Sequence, residues 1–295
     1  MGVNSVRNTA TVHSAIAVAS NRTGIDFNYL LGQAHVESGL RTDARARTSS
    51  ATGLYQFIDQ SWLGVIKEHG AEHGMGWAAD AIKQTSNGRY VVNDPATRRA
   101  ILDLRNDPTA SALMAAEHAS DNKQSLENSL GRPATGTDLY MAHFLGLGGA
   151  RSFLTAMESN PNRSGASMFP AAARANRNIF YNSSGQPRTL SQIYARFGNR
   201  LDSGASASGG TGLASATLTG GPSNAAFMPA NFVQQTQSLE NGGEVIFGTN
   251  APEGDHAWVN STLANLNTLR EPMNPLRPTP DNARLAYMLL ASLGA

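Results

Sequence analysis

The chain has 295 residues, a formal net charge of +1 and no cysteine. That length holds one good-sized domain with an appendage, or two small ones. The near-neutral balance excludes a strong electrostatic bias toward nucleic acid or an anionic membrane. The missing cysteines exclude disulfides and thiolate metal sites.

No basic stripe with interleaved aromatics is present, as a nucleic-acid binder would show. Nor does any apolar run approach the ~20 residues of a membrane span. Residues 1–22 lack a basic start, an apolar stretch and a cleavage site, so no Sec signal is recognisable in the chain as given. A wall-directed substrate would then imply export by another route, or a signal already removed.

Residues 11–20 read as a helix, and Asp26 is an N-cap for a second helix ending near Glu37, with Gly39 as its C′ residue. Helical spacing continues over 61–69 through Trp62, Val65 and Ile66, then over 97–104 and 109–122, the last opened by Asp107-Pro108. Further helical patterns cover 137–144, 150–157, 168–176 and 190–197, and 89–93 is a candidate short strand. The expectation is a mainly α domain over 1–200 with at most a very short β element. A Gly/Ser/Ala/Thr-rich stretch follows, too poor in apolar surface to order itself, so 201–256 is expected to be a flexible linker. A helical tail over 257–295 is broken by Pro272, Pro275, Pro278 and Pro280, and its last apolar face could pack on the domain or dock a partner.

Glu37 carries the most chemistry. Ala34 and Leu30 lie three and seven positions earlier on the same helical face, so its carboxylate points where a core side chain would. Burial and the negative end of the helix dipole both favour a protonated acid, as a general acid for glycosidic cleavage requires. Downstream come Ala51-Thr52-Gly53-Leu54-Tyr55-Gln56-Phe57 and, later, Tyr140-Met141-Ala142-His143-Phe144-Leu145-Gly146. Glu-Ser-Gly-Leu at a helix end, then Gly-Leu-Tyr-Gln, then an aromatic-rich helix running into glycine, resembles the soluble lytic transglycosylase domain of the lysozyme superfamily. The likeness is to the branch found in some phage endolysins and bacterial wall-lytic enzymes. It covers roughly residues 10–200, and the order of three motifs makes it specific.

The resemblance implies a lysozyme-like helical fold and cleavage of the β-1,4 bond between N-acetylmuramic acid and N-acetylglucosamine in peptidoglycan. It implies a 1,6-anhydro product and Glu37 as acid and then base. Gln56 would donate to a sugar N-acetyl group or to backbone near the cleavage point, and Gly53 would let backbone approach the ligand. Tyr55 or Phe57 would line the groove, and Ser38 would bond the acid or the substrate, or cap the helix. Relatives use a tyrosine from the third motif to hydrogen-bond the acid; here Tyr140 and His143, three apart on one face, are both candidates. Tyr181 is a candidate groove-wall residue. No metal or organic cofactor is implied, and the expected partners are glycan strands and a protein engaged by the tail. The site of action would be the periplasm or cell wall, for a phage lysin, a remodelling enzyme or a lysin serving a secretion or flagellar assembly.

Glu117 is the candidate second carboxylate of a conventional hydrolase, with a surface ion pair as its plain alternative. A non-catalytic glycan-binding scaffold is a further alternative. His69-Gly70-Ala71-Glu72-His73 matches H-x-x-E-H, but Gly70, Gly74 and Gly76 argue against the regular helix a metalloprotease needs, and no third ligand stands out. There is no G-x-S-x-G elbow and no completed phosphate loop.

Overall fold

The computed structural model describes the backbone of residues 3–47 and 49–218 and the side chains of 10–47 and 49–218. The expectations for 219–295, the rest of the linker and the helical tail, lie outside the described residues. Within them the chain is mainly helical, as the patterning indicates.

Helices α1 (Val3–Thr23) and α2 (Phe27–Ser38) are joined by Gly24 at φ +75°. The Asp26 side chain accepts from the Tyr29 N–H, and Gly39 adopts φ +61°, so α2 starts and stops on the two capping residues read from the sequence. An irregular loop leads to α3 (Asp59–His69), a 3-10 turn at Gly70–His73 and α4 (Gly76–Ala81). The candidate strand is β2 (Tyr90–Val91), paired antiparallel with β1 (Lys83–Gln84), which the sequence pattern did not indicate. Asp94 caps α5 (Pro95–Asp103), a second 3-10 turn spans Leu104–Asn106, and Asp107 caps α6 (Pro108–Leu130) with proline in its first turn.

The two helices expected over 137–144 and 150–157 form one kinked α7 (Gly136–Ser159), with Gly146 at φ 71°, ψ 160° as the kink. Its N-terminus carries a capping box between Thr135 and Asp138, and buried Asp138 also pairs with Arg132 at 2.6 Å and accepts from Tyr194 Oη at 2.9 Å. The single helix expected over 168–176 is three short ones, α8 (Gly165–Met168), α9 (Pro170–Ala175) and α10 (Arg177–Phe180), because Pro170 opens a new helix rather than continuing the old one. A last helix, α11 (Leu190–Ala207), closes the order.

The core is built around α2, which packs against α1, α6 and α11. Leu30, Leu31 and Ala34 are fully buried, and Gly32 lets α11 come so close that a Cβ there would meet the Leu201 carbonyl oxygen at 2.6 Å.

The linker boundary expected at residue 201 is wrong. Residues 201–207 continue α11, and 208–218 fold back over the domain. Asn28 Oδ1 accepts from the Thr211 and Gly212 N–H groups, and Asp202 holds Ser215. The strap then bonds the chain entering α7, through Gly136 N–H to Ala216 O at 2.8 Å and Leu218 N–H to Ala134 O at 2.9 Å. Backbone and side-chain hydrogen bonds order a segment too poor in apolar residues to signal its order by composition.

At Gly136 a Cβ would stand 1.8 Å from the Ala214 carbonyl oxygen. Gly136→Ala is therefore expected to pry the strap off α7 and destabilise the domain by about 1–3 kcal/mol. Thermal melting measures the loss, and limited proteolysis should show new cleavage between 208 and 218.

Candidate active site

Glu37 occupies the last turn of α2, and its side chain is only 2% exposed. Two donors converge on one of its oxygens. The Tyr140 hydroxyl donates to Glu37 Oε1 at 3.3 Å, and His143 Nε2 stands 3.1 Å from the same atom. Both come from one face of α7, three residues apart, so the spacing read from the sequence delivers both to the acid rather than one in place of the other. Their rings stack, with centroids 5.8 Å apart, and Phe197 of α11 meets Tyr140 edge-on at 5.3 Å. That packing fixes the hydroxyl's direction before any ligand arrives.

The electrostatics of the group follow from burial and from Glu37. Burial and then the Glu37 carboxylate hold the Tyr140 phenol well above its ordinary range, and the buried phenol of Tyr29 is raised for the same two reasons. Both rings therefore stay protonated, and Tyr140 stays a donor. At His143 burial disfavours the charged ring, but the Glu37 charge and hydrogen bond outweigh it and raise the imidazole above its usual value. The His143 side chain is 24% exposed, so the pair sits just under the surface.

The loop following α2 locks the acid's helix. Ser38 Oγ lies 3.0 Å from the Ala34 carbonyl and 2.8 Å from the Leu54 carbonyl, joining the end of α2 to the Gly-Leu-Tyr-Gln segment. Tyr55 is buried and its hydroxyl donates to the Leu30 carbonyl at 3.1 Å, so the same segment grips α2 two turns from Glu37. Tyr55 was expected at the substrate and is instead a buried tie within the scaffold, whereas Ser38 takes the helix-end role that was the alternative to substrate contact. Phe57 is buried as well, against Trp62. Gly53, at φ +85°, does permit a close backbone approach, but to the Arg105 carbonyl, which a Cβ would meet at 2.0 Å.

Gln56, at φ 51°, donates its amide to Ala44 O at 3.1 Å and Gly53 O at 2.8 Å. Both amide hydrogens are used within the loop, which leaves the side-chain carbonyl as the group it can offer a ligand. Buried Arg105 holds the loop from below, donating to Ser50 O and Phe57 O and pairing with Asp59 at 2.9 Å. Nothing in the sequence pattern marked Arg105 for that task.

Glu117 belongs to a different group. Its Oε1 is 2.6 Å from His73 Nε2 and its Oε2 is 3.7 Å from His69 Nδ1. The ion pairing anticipated as its plain alternative is made with two histidines. Tyr181 follows α10 and lies under the Arg177 guanidinium, 4.7 Å from its ring centre, and no described contact joins it to Glu37.

His118 and Arg200, which the sequence reading left without roles, lie within electrostatic reach of the site. Arg200 acts on the Tyr140 phenol against the pull of burial and Glu37. His118 packs near Phe57, with ring centroids 6.2 Å apart. Burial, helped by nearby His143 and His69 and opposed by Asp121, pushes His118 down to about 4.

No protein-family model matches the chain. The site's chemistry therefore rests on its geometry: one buried carboxylate, gripped on a single oxygen by a phenol and an imidazole at a rigid helix end.

Because folded His118 refuses a proton that the unfolded chain accepts below its ordinary value of 6.5, stability should fall on acidification from about pH 6.5 to about pH 4. The contribution is at most about 1.4 kcal/mol per pH unit. Chemical denaturation across that window should show a shallower acid loss in His118→Asn than in the parent, with the two curves parallel above pH 7.

Proposed function

We propose that the chain is a peptidoglycan lytic transglycosylase in which Glu37 serves first as acid and then as base. The observation that carries this reading is the convergence of Tyr140 and His143 on Glu37 Oε1; the reading assigns the proton exchange with a sugar to Oε2. Preorganised donors on the far oxygen keep the carboxyl group in one orientation through both proton transfers.

In the proposed reaction Glu37 Oε2 gives its proton to the glycosidic oxygen between N-acetylmuramic acid and N-acetylglucosamine. The bond from C1 to that oxygen breaks, and positive charge develops on the muramic ring. Glu37, now a carboxylate, accepts the proton of the C6 hydroxyl as O6 closes on C1. The products are a 1,6-anhydro sugar end and a free N-acetylglucosamine 4-hydroxyl, with the enzyme restored and no water consumed.

A hydrolase would instead require a second carboxylate to activate water or trap the sugar. Glu117, the group the sequence offers for that role, is engaged by His73 and His69, which supports the single-carboxylate route. The proposed place of action is the cell wall. No helix of the described residues is long and apolar enough to cross a membrane.

Glu37→Gln keeps the shape and can still accept from Tyr140 and His143, but it cannot deliver a proton. Lysis of purified peptidoglycan should fall by roughly 10²–10⁴-fold while the circular dichroism spectrum is kept. Turbidity clearance by the variant at the parental rate would refute the assignment.

A further inference from the structure

A second group of ionisable side chains lies where α3 and the following 3-10 turn meet α6. The end of α3 carries Glu68 and His69, the turn carries Glu72 and His73, and α6 presents Glu117 and Asp121 one turn apart. One ligand atom from each of His69, Glu72 and Glu117 can be taken so that all lie within 4.8 Å of one another. Ligands around a tetrahedral zinc ion stand about 3.3–3.6 Å apart, given bonds of about 2.0–2.2 Å.

The orientation of the ring and of Glu117 is what distinguishes this group from a chance gathering of acids. His69 Nε2 is 2.9 Å from Asp121 Oδ2, and this contact turns Nδ1 of the same ring toward Glu117. Nδ1 stands 3.7 Å from Glu117 Oε2, beyond hydrogen-bond length and close to the separation of two ligand atoms on one zinc ion. The other oxygen of Glu117 is held at 2.6 Å by His73 Nε2, so Oε2 is turned toward His69. A carboxylate behind the ligating imidazole and a donor behind the ligating carboxylate are the outer supports that metal ligands characteristically carry. Among the described residues, the ion-pair partners of Glu117 and Asp121 are histidines, with no lysine or arginine to neutralise the acids.

We propose that His69 Nδ1, Glu117 Oε2 and a Glu72 carboxylate oxygen bind a divalent transition-metal ion of the zinc type, clamping α3 and the 3-10 turn to α6. The mixed imidazole and carboxylate donors select that class over calcium or magnesium, which favour oxygen alone. The H-x-x-E-H motif is thus used differently from a metalloprotease. Because the helix gives way to a 3-10 turn at Gly70, Glu72 rather than His73 joins His69 at the ion, and His73 moves to the outer layer. The site shares no proposed ligand with the Glu37 group, so it stands or falls independently of the glycosidic reading.

The test uses untagged full-length protein stripped with a chelator and titrated with zinc chloride by calorimetry, alongside thermal melts. One ion per chain and a melting temperature that rises with zinc are expected. Glu72→Gln, a change at an exposed residue, and Asp121→Asn, a change behind the ligand, should each weaken binding by about 10-fold or more. Glu158→Gln, far from the cluster in the fold, should bind as the parent does. Absence of binding heat and of any melting shift would overturn the proposal. So would unchanged affinity in both Glu72→Gln and Asp121→Asn, which would place the ion elsewhere.

Discussion

A carboxylate at the C-terminal end of a helix meets the negative end of the peptide dipole, and one withdrawn from water also loses its hydration. Glu37 is subject to both, at 2% side-chain exposure. Its position is tolerable only if donors reach it in fixed geometry, and the surrounding fold is arranged to keep them there. Tyr140 and His143 supply the donors, the kink at Gly146 ends the straight part of α7 soon after them, and Phe197 holds the Tyr140 ring from α11. The same α11 lies against α2 through the close contact at Gly32, so acid and donors are referenced to one common helix.

The Gly-Leu-Tyr-Gln segment explains why the helix end does not fray. A terminal turn with unsatisfied carbonyls is ordinarily the softest part of a helix. Here Ser38 links it to Leu54, and Tyr55 returns to Leu30. Those residues set the position of α2 and so of Glu37. Gln56 stands between the two kinds of work, with its amide hydrogens holding the loop and its carbonyl available to a ligand.

Much of the fold was legible because its signals are local. Asp26, Gly39 and the Asp107-Pro108 pair each satisfy or replace backbone groups within four residues, so α2 and α6 start or stop where those residues indicate. Glu37, Tyr140 and His143 were legible for a related reason, since a three-residue spacing on a helix sets a shared direction whatever the tertiary fold. What stayed hidden depends on partners distant in sequence. Residues 208–218 look like a linker because their order comes from Asn28, Asp202 and the backbone entering α7. Strand β1 is two residues long and has no periodicity to read. Glu117 was placed on the correct helix, but its histidine partners lie 44 and 48 residues upstream, counted from His73 and His69.

In the proposed reaction one carboxylate, Glu37, cleaves the glycan without water. Mass spectrometry of the fragments released from purified peptidoglycan tests it most directly. Fragments ending in 1,6-anhydro-N-acetylmuramic acid are the predicted result, even when digestion is run in isotopically labelled water, which should leave no label at the cleaved C1. Reducing ends that carry the solvent label would contradict the claim and require a hydrolytic partner for Glu37, and intact glycan would contradict catalysis altogether.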